Sequence, residues 1–470
     1  MGVPTLQRRA ERRGLRLWPV GRVLVLSFVA AVLVAAAVFY AGWDLLGARG
    51  LKPEHRIDSK TLFDLVKLSF GVVAGAGALV ALVVAYRRQR VDEDGALREA
   101  TRLHTERFTT AVSQLGDASP AVRLGGVHAL AGLADDAPTR ALRQTCIDVL
   151  CAYLRLPYAA EADLPAGDTE ARHAYLALRE VRHTVIRLVR DHLRLDSGHP
   201  HSWQGHDFDF TGVTFDGGDF SGAVFSGGTV SFTGATFSNG EVDFFRSTFS
   251  GGEVNFFGAT FSGGTVRFGD AQFSGGEVNF GSATFSGGEV LFMVATFSGG
   301  EVNFGSATFS GGEVHFGGST FSGGTVSFFG ATLSGGEVSF TGATLSGGTV
   351  GFFGVTFSGG DVDFFRSTLS GGAVHFAGST FSDGTVDFRG ADFAGGTVDF
   401  HQATFSGSTV HFGDAQISDG TVHFTGTVIS GGTVDFRQAV GTAPSGLLPP
   451  DGSPIPAGLL LPPAWYPAGS

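Results

Sequence analysis

An eighteen-fold, twelve-residue repeat from Phe225 to about Val440 constrains this chain more than any other feature. Its consensus is F-S-G-G-[E/T]-V-x-F-x-x-[A/S]-T. Position 8 is Phe in every unit, from Phe232 through Phe256, Phe268 and Phe280 to Phe436. Position 6 is Val in every unit, from Val230 through Val254, Val266 and Val278 to Val434. So strict a period leaves no room for the one-off geometry of a catalytic core and calls for units stacked into a solenoid.

Each unit holds two short segments of period two, V-x-F and A-x-F, whose small and large apolar residues point inward. The glycines at positions 3 and 4 suit a tight corner with positive φ. Asn239, Asp383 and Asp419 replace the first of them, as residues that tolerate that conformation, and Ser408 replaces the second once. Stacking would align the phenylalanines into internal ladders, each ring worth about 2–3 kcal/mol. Leu333, Leu345, Leu369, Ile417 and Ile429 stand in for Phe at position 1 only, as in an apolar slot.

The net charge of −12 is unevenly spread. The first hundred residues are rich in Arg, whereas the repeats are acidic and lack Lys, which argues against nucleic acid as a partner. Cys146 and Cys151 are five apart in a helical pattern and face different ways, so they read as buried free thiols and not as a disulfide or zinc site.

Two apolar runs, 23–43 and 68–86, are each long enough for a membrane-spanning helix. The first is long for a signal peptide and a second follows, so both are expected to be retained. Arg-rich flanks at 1–22 and 87–90 predict a multi-pass hairpin in the plasma membrane, with loop 44–67 outside and the later domains in the cytoplasm. Gly71 and Gly75 form a GxxxG, either a homo-oligomer face or close packing within the hairpin. Residues 91–196 read as a helical domain, with Ser119-Pro120 opening one helix, 138–154 a second and 170–195 a third. The arginines of that last helix, Arg179, Arg182, Arg187 and Arg190, read as a solvated face. The tail, 441–470, is rich in Pro and Leu, and its Trp465 could fold back over the open solenoid end.

Upstream of the repeat, Phe210, Phe215, Phe220 and Phe225 are five apart, in DFDFTGVTFDGGDFSGAVF. Here the chain resembles the pentapeptide-repeat family. The resemblance implies a right-handed, four-sided parallel β-helix over 205–440, with two extra residues per unit. It leaves two coil sizes open, twenty-four residues on four faces or a flatter twelve. Twenty-four is preferred, because opposed Phe columns would crowd a two-sided coil. The segment TERFTTAVSQLGDASPAVRLGGVHALAGLADD, with RQTCIDVLCAYLR after it, is similar to the helical module that precedes the repeats in bacterial membrane-anchored members. The family has no general catalytic activity.

The chain carries no phosphate-binding loop and no G-x-S-x-G elbow. No catalytic, cofactor-binding or metal-binding residue is assigned, and no enzyme is expected. His315, His375, His411 and His423 share position 7 with Asp363, Asp387, Asp399 and Asp435, an irregular row that reads as variable surface and not as a metal site. Glu241, Glu253, Glu277, Glu289, Glu301, Glu313 and Glu337 share position 5, as a solubilising edge or a surface for a basic partner. Phe245, Phe257, Phe329, Phe353 and Phe365 at position 9 are either an exposed binding strip or rings folded over a neighbouring turn. The expected function is a membrane-anchored scaffold for an unidentified protein partner. The alternatives are a DNA-mimicking regulator of an enzyme such as gyrase, implied by the resemblance, and an extracytoplasmic envelope rod.

Overall fold

A computed structural model describes residues 58–448 apart from 160, 162 and 163, residues 454–466, and isolated positions between 29 and 44. The chain divides into two compact units, 1–102 and 103–470. The basic N-terminus, 1–22, most of the first expected span, 23–43, and positions 45–57 of the expected loop 44–67 lie outside the described residues; the positions described between 29 and 44 are helical.

Helix α1, Ser59–Leu115, is the one helix among the described residues long and apolar enough to cross a membrane. Its Leu68, Phe70, Val73 and Leu82 are largely exposed, and a Cβ added at Gly71 or Gly75 would meet nothing. The helix begins at Ser59, within the expected loop 44–67, and runs on to Leu115 without interruption. The cause is local: residues 87–115 contain no Pro, a single Gly (Gly95) and mostly strong helix formers.

Three further helices follow, α2 (Pro120–Asp135), α3 (Arg140–Leu154) and α4 (Thr169–Leu193). Pro120 occupies the first turn of α2, where its missing N–H costs nothing. Thr139 caps α3 through its hydroxyl on the Leu142 N–H, so that helix starts past Pro138. Asp168 caps α4 by accepting from the Ala171 N–H at 2.9 Å. Val127, Leu130, Ile147, Leu150, Val185 and Val189 are fully buried between them. Gly126 permits the closest approach, since a Cβ there would stand 2.5 Å from the Leu115 nitrogen. Cys146 and Cys151 are buried and form no disulfide, Cys146 Sγ lies 3.8 Å from His104 Nε2, and burial pushes the Cys146 thiol up to about 11.

The repeats form a parallel β-solenoid. Strand register decides the coil size: Thr260 pairs with Thr284 and Val266 with Val290, twenty-four residues on in each case. Two units therefore make one four-faced coil. One face is a ten-stranded sheet of V-x-F strands, and the A-x-F face that follows the opposite V-x-F face is a second ten-stranded sheet. The other two faces join into a nineteen-stranded sheet where strands Thr308–His315 and Thr332–Ser339 run on through the corner.

The interior explains the substitution pattern. Position-8 rings form two columns stacked face to face, as in Phe256–Phe280 at 4.6 Å and Phe268–Phe292 at 4.7 Å. The two columns meet edge to face across the centre, as in Phe256–Phe268 at 6.2 Å and 85°. Only an aromatic ring makes both contacts. Position-1 rings line the side walls, where Leu333, Leu345 and Leu369 fit, fully buried. Val254, Val266 and Val278 fill the remaining inward slots. Where Ser replaces Ala at position 11, Ser247 and Ser319 donate to the Phe220 and Phe292 carbonyls at 3.0 and 2.5 Å, whereas the buried Ser367 hydroxyl has no partner among the described residues.

Corner geometry differs from the sequence expectation. Positive φ falls at position 4 of many units, at position 10, and at position 3 only in Gly359 and Gly395, not at Asn239, Asp383 or Asp419. At position 4 close stacking demands Gly: a Cβ on Gly276 would lie 2.5 Å from the Gly252 carbonyl oxygen below it. At position 10 the corner is open enough that Arg246, Asp270 and Arg366 adopt φ between 53° and 57°.

Both ends of the stack are covered. The tail does fold back: strand Leu459–Leu460 pairs with Thr433–Asp435, Leu459 and Leu461 are buried, and Trp465 packs on Phe436 at 5.4 Å. At the other end α4 and α3 pack on the first coil.

Candidate interaction surface

The helical end of the solenoid is built around one carboxylate. The first coil is two residues short: Phe220 follows Phe215 by five residues where later coils have seven. That tight corner, with Gly217 and Gly218 at φ 134° and 154°, sets Asp216 against the helices. Tyr158 and Tyr175 donate to its Oδ2 at 2.6 and 2.5 Å. Arg179 and His183 stand 3.4 and 3.5 Å from it. Burial raises its pKa, but His183 and the two phenols outweigh burial and hold the carboxyl far below the usual carboxylate range. Burial, with Asp216 as hydrogen-bond acceptor, pushes the Tyr175 phenol up to about 12.

Arg179, Arg182 and Arg190 of α4 are thus corrected from a solvated face to a docking face, whereas Arg187 stays exposed as expected. Arg182 is 4% exposed, lies over the Tyr158 ring and donates to the carbonyls of Leu154 and Thr214. Arg190 pairs with Asp219. Arg187 bonds Thr184 within its own helix. The sequence signal for this interface is the five-residue spacing combined with two adjacent glycines.

On the coils, the twenty-four-residue period splits every outward column of the repeat between two opposite faces. Glu253, Glu277 and Glu301 stand in direct register on one face. Glu289, Glu313, Glu337 and Asp361 do so on the other. Glu241, further along that second face, pairs with Arg267. Burial, then its like-charged neighbours Glu301 and Glu253, raises the Glu277 pKa. Carboxylates directly opposite one another destabilise a sheet, so these rows do not serve the fold.

The position-9 rings do not form one strip. Phe245 and Phe365 lie on one corner, and Phe257, Phe329 and Phe353 on the opposite one, where only Phe329 and Phe353 occupy adjacent coils. Phe245 and Phe257 lie over Gly269 and Gly281, while Phe353 stacks on His375 at 5.0 Å. Phe329 is 65% exposed.

The His and Asp row divides too. His375, Asp399 and His423 are in register on one face, and Asp363, Asp387, His411 and Asp435 on the other. Asp387 and Asp435 are held by Arg389 and Arg437 at 2.5 and 2.7 Å. Among the described residues no group of His, Cys, Asp or Glu is arranged to hold a metal ion.

A family model described as pentapeptide repeats (9 copies) matches residues 210–260. That stretch contains the coil with five-residue spacing and the first regular units, and over it the chain is similar to the family in sequence as well as in its β-solenoid. No curated protein and no solved structure matches the chain.

Proposed function

We propose that the chain is a membrane-tethered, non-enzymatic scaffold. Two helices anchor it, and the helical domain and solenoid face the cytoplasm, where the solenoid engages a protein partner. The observation that carries this reading is the outward surface of the coils. It is made of regular columns with no convergent set of nucleophile, base and oxyanion donors, and its like-charged rows are costly to the fold. A rigid repeat stack presents such columns at fixed spacing, as extended binding surfaces require. The acidic rows are short and lie on opposite faces, so nothing favours a duplex-DNA mimic.

The test uses the full chain in native membranes. A photo-crosslinking residue is placed at Ser231, Ser310 and Ser327 in turn, and an impermeant maleimide probes Ser310→Cys in a background free of Cys146 and Cys151. Discrete adducts and labelling only after lysis are expected. Absence of adducts at every position would remove the scaffold, and labelling of intact cells would place the solenoid outside.

A further inference from the structure

The unit from Phe285 to Thr296 breaks the repeat at three outward positions at once, with Leu291 at 7, Met293 at 9 and Val294 at 10. The coils on either side carry Gly269-Asp270 and Gly317-Gly318 at the same corner. Val294 sits at φ 60°, a conformation that is an outlier for a β-branched residue. Met293 and Val294 are 50% and 61% exposed, so burial does not offset the strain. Strain and exposed apolar surface concentrated in one unit of an otherwise regular array point to function.

Phe245, two coils earlier in the same corner column, lies over Gly269 toward Met293. Between them is a shallow hollow of about 490 Å³, floored by Gly269 and walled by Phe245, Leu291, Met293 and Val294. Its rim charges neutralise one another: Arg246 pairs with Asp270 at 2.9 Å, and Arg267 pairs with Glu241. On the same face, starting at Glu289 in the strand of Leu291, runs the carboxylate column through Glu313 and Glu337 to Asp361, stepped by about 4.8 Å. Of these four, Glu313 has a histidine partner, His315 at 3.0 Å.

We propose that this corner docks a basic, amphipathic segment of a partner protein. One bulky apolar side chain enters the hollow, and Lys or Arg side chains follow the carboxylate column. The charge repels nucleic acid and anionic lipid, and a second copy of this acidic solenoid would meet like charge. The inference rests on the scaffold reading and gives the partner's chemistry.

The full chain in phosphatidylcholine nanodiscs is titrated into three labelled peptides, of alternating Lys/Leu, Glu/Leu and Lys/Ser, with empty nanodiscs as the blank. Anisotropy is expected to show the Lys/Leu peptide bound at least about tenfold more tightly than either other. Met293→Gly with Val294→Asp installs a neighbouring coil's residues, so folding is retained; it should lose about tenfold in affinity with no loss of melting temperature. Glu313→Gln with Glu337→Gln should weaken binding and flatten its salt dependence. Equal binding by the corner variant, equal binding of the Lys/Ser or Glu/Leu peptide, or no binding overturns the proposal. So does self-association that the corner variant abolishes. If those results come with crosslinks elsewhere on the solenoid, the docking corner fails alone and the scaffold stands.

Discussion

The first coil and the interior coils are held by different physics. Asp216 in the first coil is held by four polar side chains, Tyr175, Arg179 and His183 of α4 and Tyr158 of the segment before it. The coils around Phe280 are held by identical rings stacked 4.6 and 4.8 Å apart with no buried charge between them. The interior is redundant and additive, as nearest-neighbour stacking implies. The end is specific, because a buried carboxylate is stable only with all its partners in place.

The largest expected effect is at the centre of the stack. Phe280→Ala should cost about 3–5 kcal/mol, read by hydrogen exchange as opening of the coils on either side. Phe280→Leu should cost more than Phe285→Leu, because the wall already accepts Leu333 one coil beyond Phe309. Equal costs for the two would break the distinction between centre and wall.

Next is Asp216→Ala, expected to cost about 2–4 kcal/mol; this lies below the range for a fully buried pair because Arg179 and His183 are partly exposed. Exchange should quicken in α4 and the first coil and stay unchanged beyond residue 300.

Acid should separate the two regions further. Asp216 has a depressed folded pKa, so its stabilisation is present above the unfolded value near 4 and is lost as pH falls. His206 is lowered from 6.5 to about 4 by burial and then by Arg140 and Arg143, so its contribution is present above about 6.5 and is lost as pH falls through about 4. Glu277 has a raised pKa, so protonation relieves its row. The contacts of His206 and Asp216 should loosen on acidification from about pH 6.5, against His192, whose raised pKa makes its protonation stabilising, while the coils hold, with exchange at pH 7, 5.5 and 4.5 as the readout.

The smallest effect is a gain. Val294→Gly removes the positive-φ strain and should raise stability by about 1 kcal/mol, seen as a higher melting temperature.

Much of the solenoid was legible because a twelve-residue period with invariant Val and Phe has few ways to bury both columns. The twenty-four-residue coil followed from crowding of opposed rings. The corner conformations were not legible: Asn239 and Asp383 suggested positive φ by residue type, but the close approach of stacked backbones falls one position later, at Gly240 and Gly384. The α4 arginines also misled, since a helix face reads as solvated until its cover is known. The Leu291–Val294 departure stood in the sequence as the unit with apolar residues at 7, 9 and 10 together. Its meaning needed the coil size, which brings Phe245 and Met293 into one column.

The most direct test of the four-faced coil is a pair of cysteine crosslinks in a background lacking Cys146 and Cys151. Asn279 and Asn303 are register partners on adjacent coils; their Cα atoms, about 4.8 Å apart, lie within disulfide range. Asn279→Cys with Asn303→Cys should oxidise to an intramolecular disulfide, and Asn279→Cys with Leu291→Cys, on opposite faces, should not. Ready oxidation of the second pair and not the first would mean a twelve-residue coil and contradict the architecture.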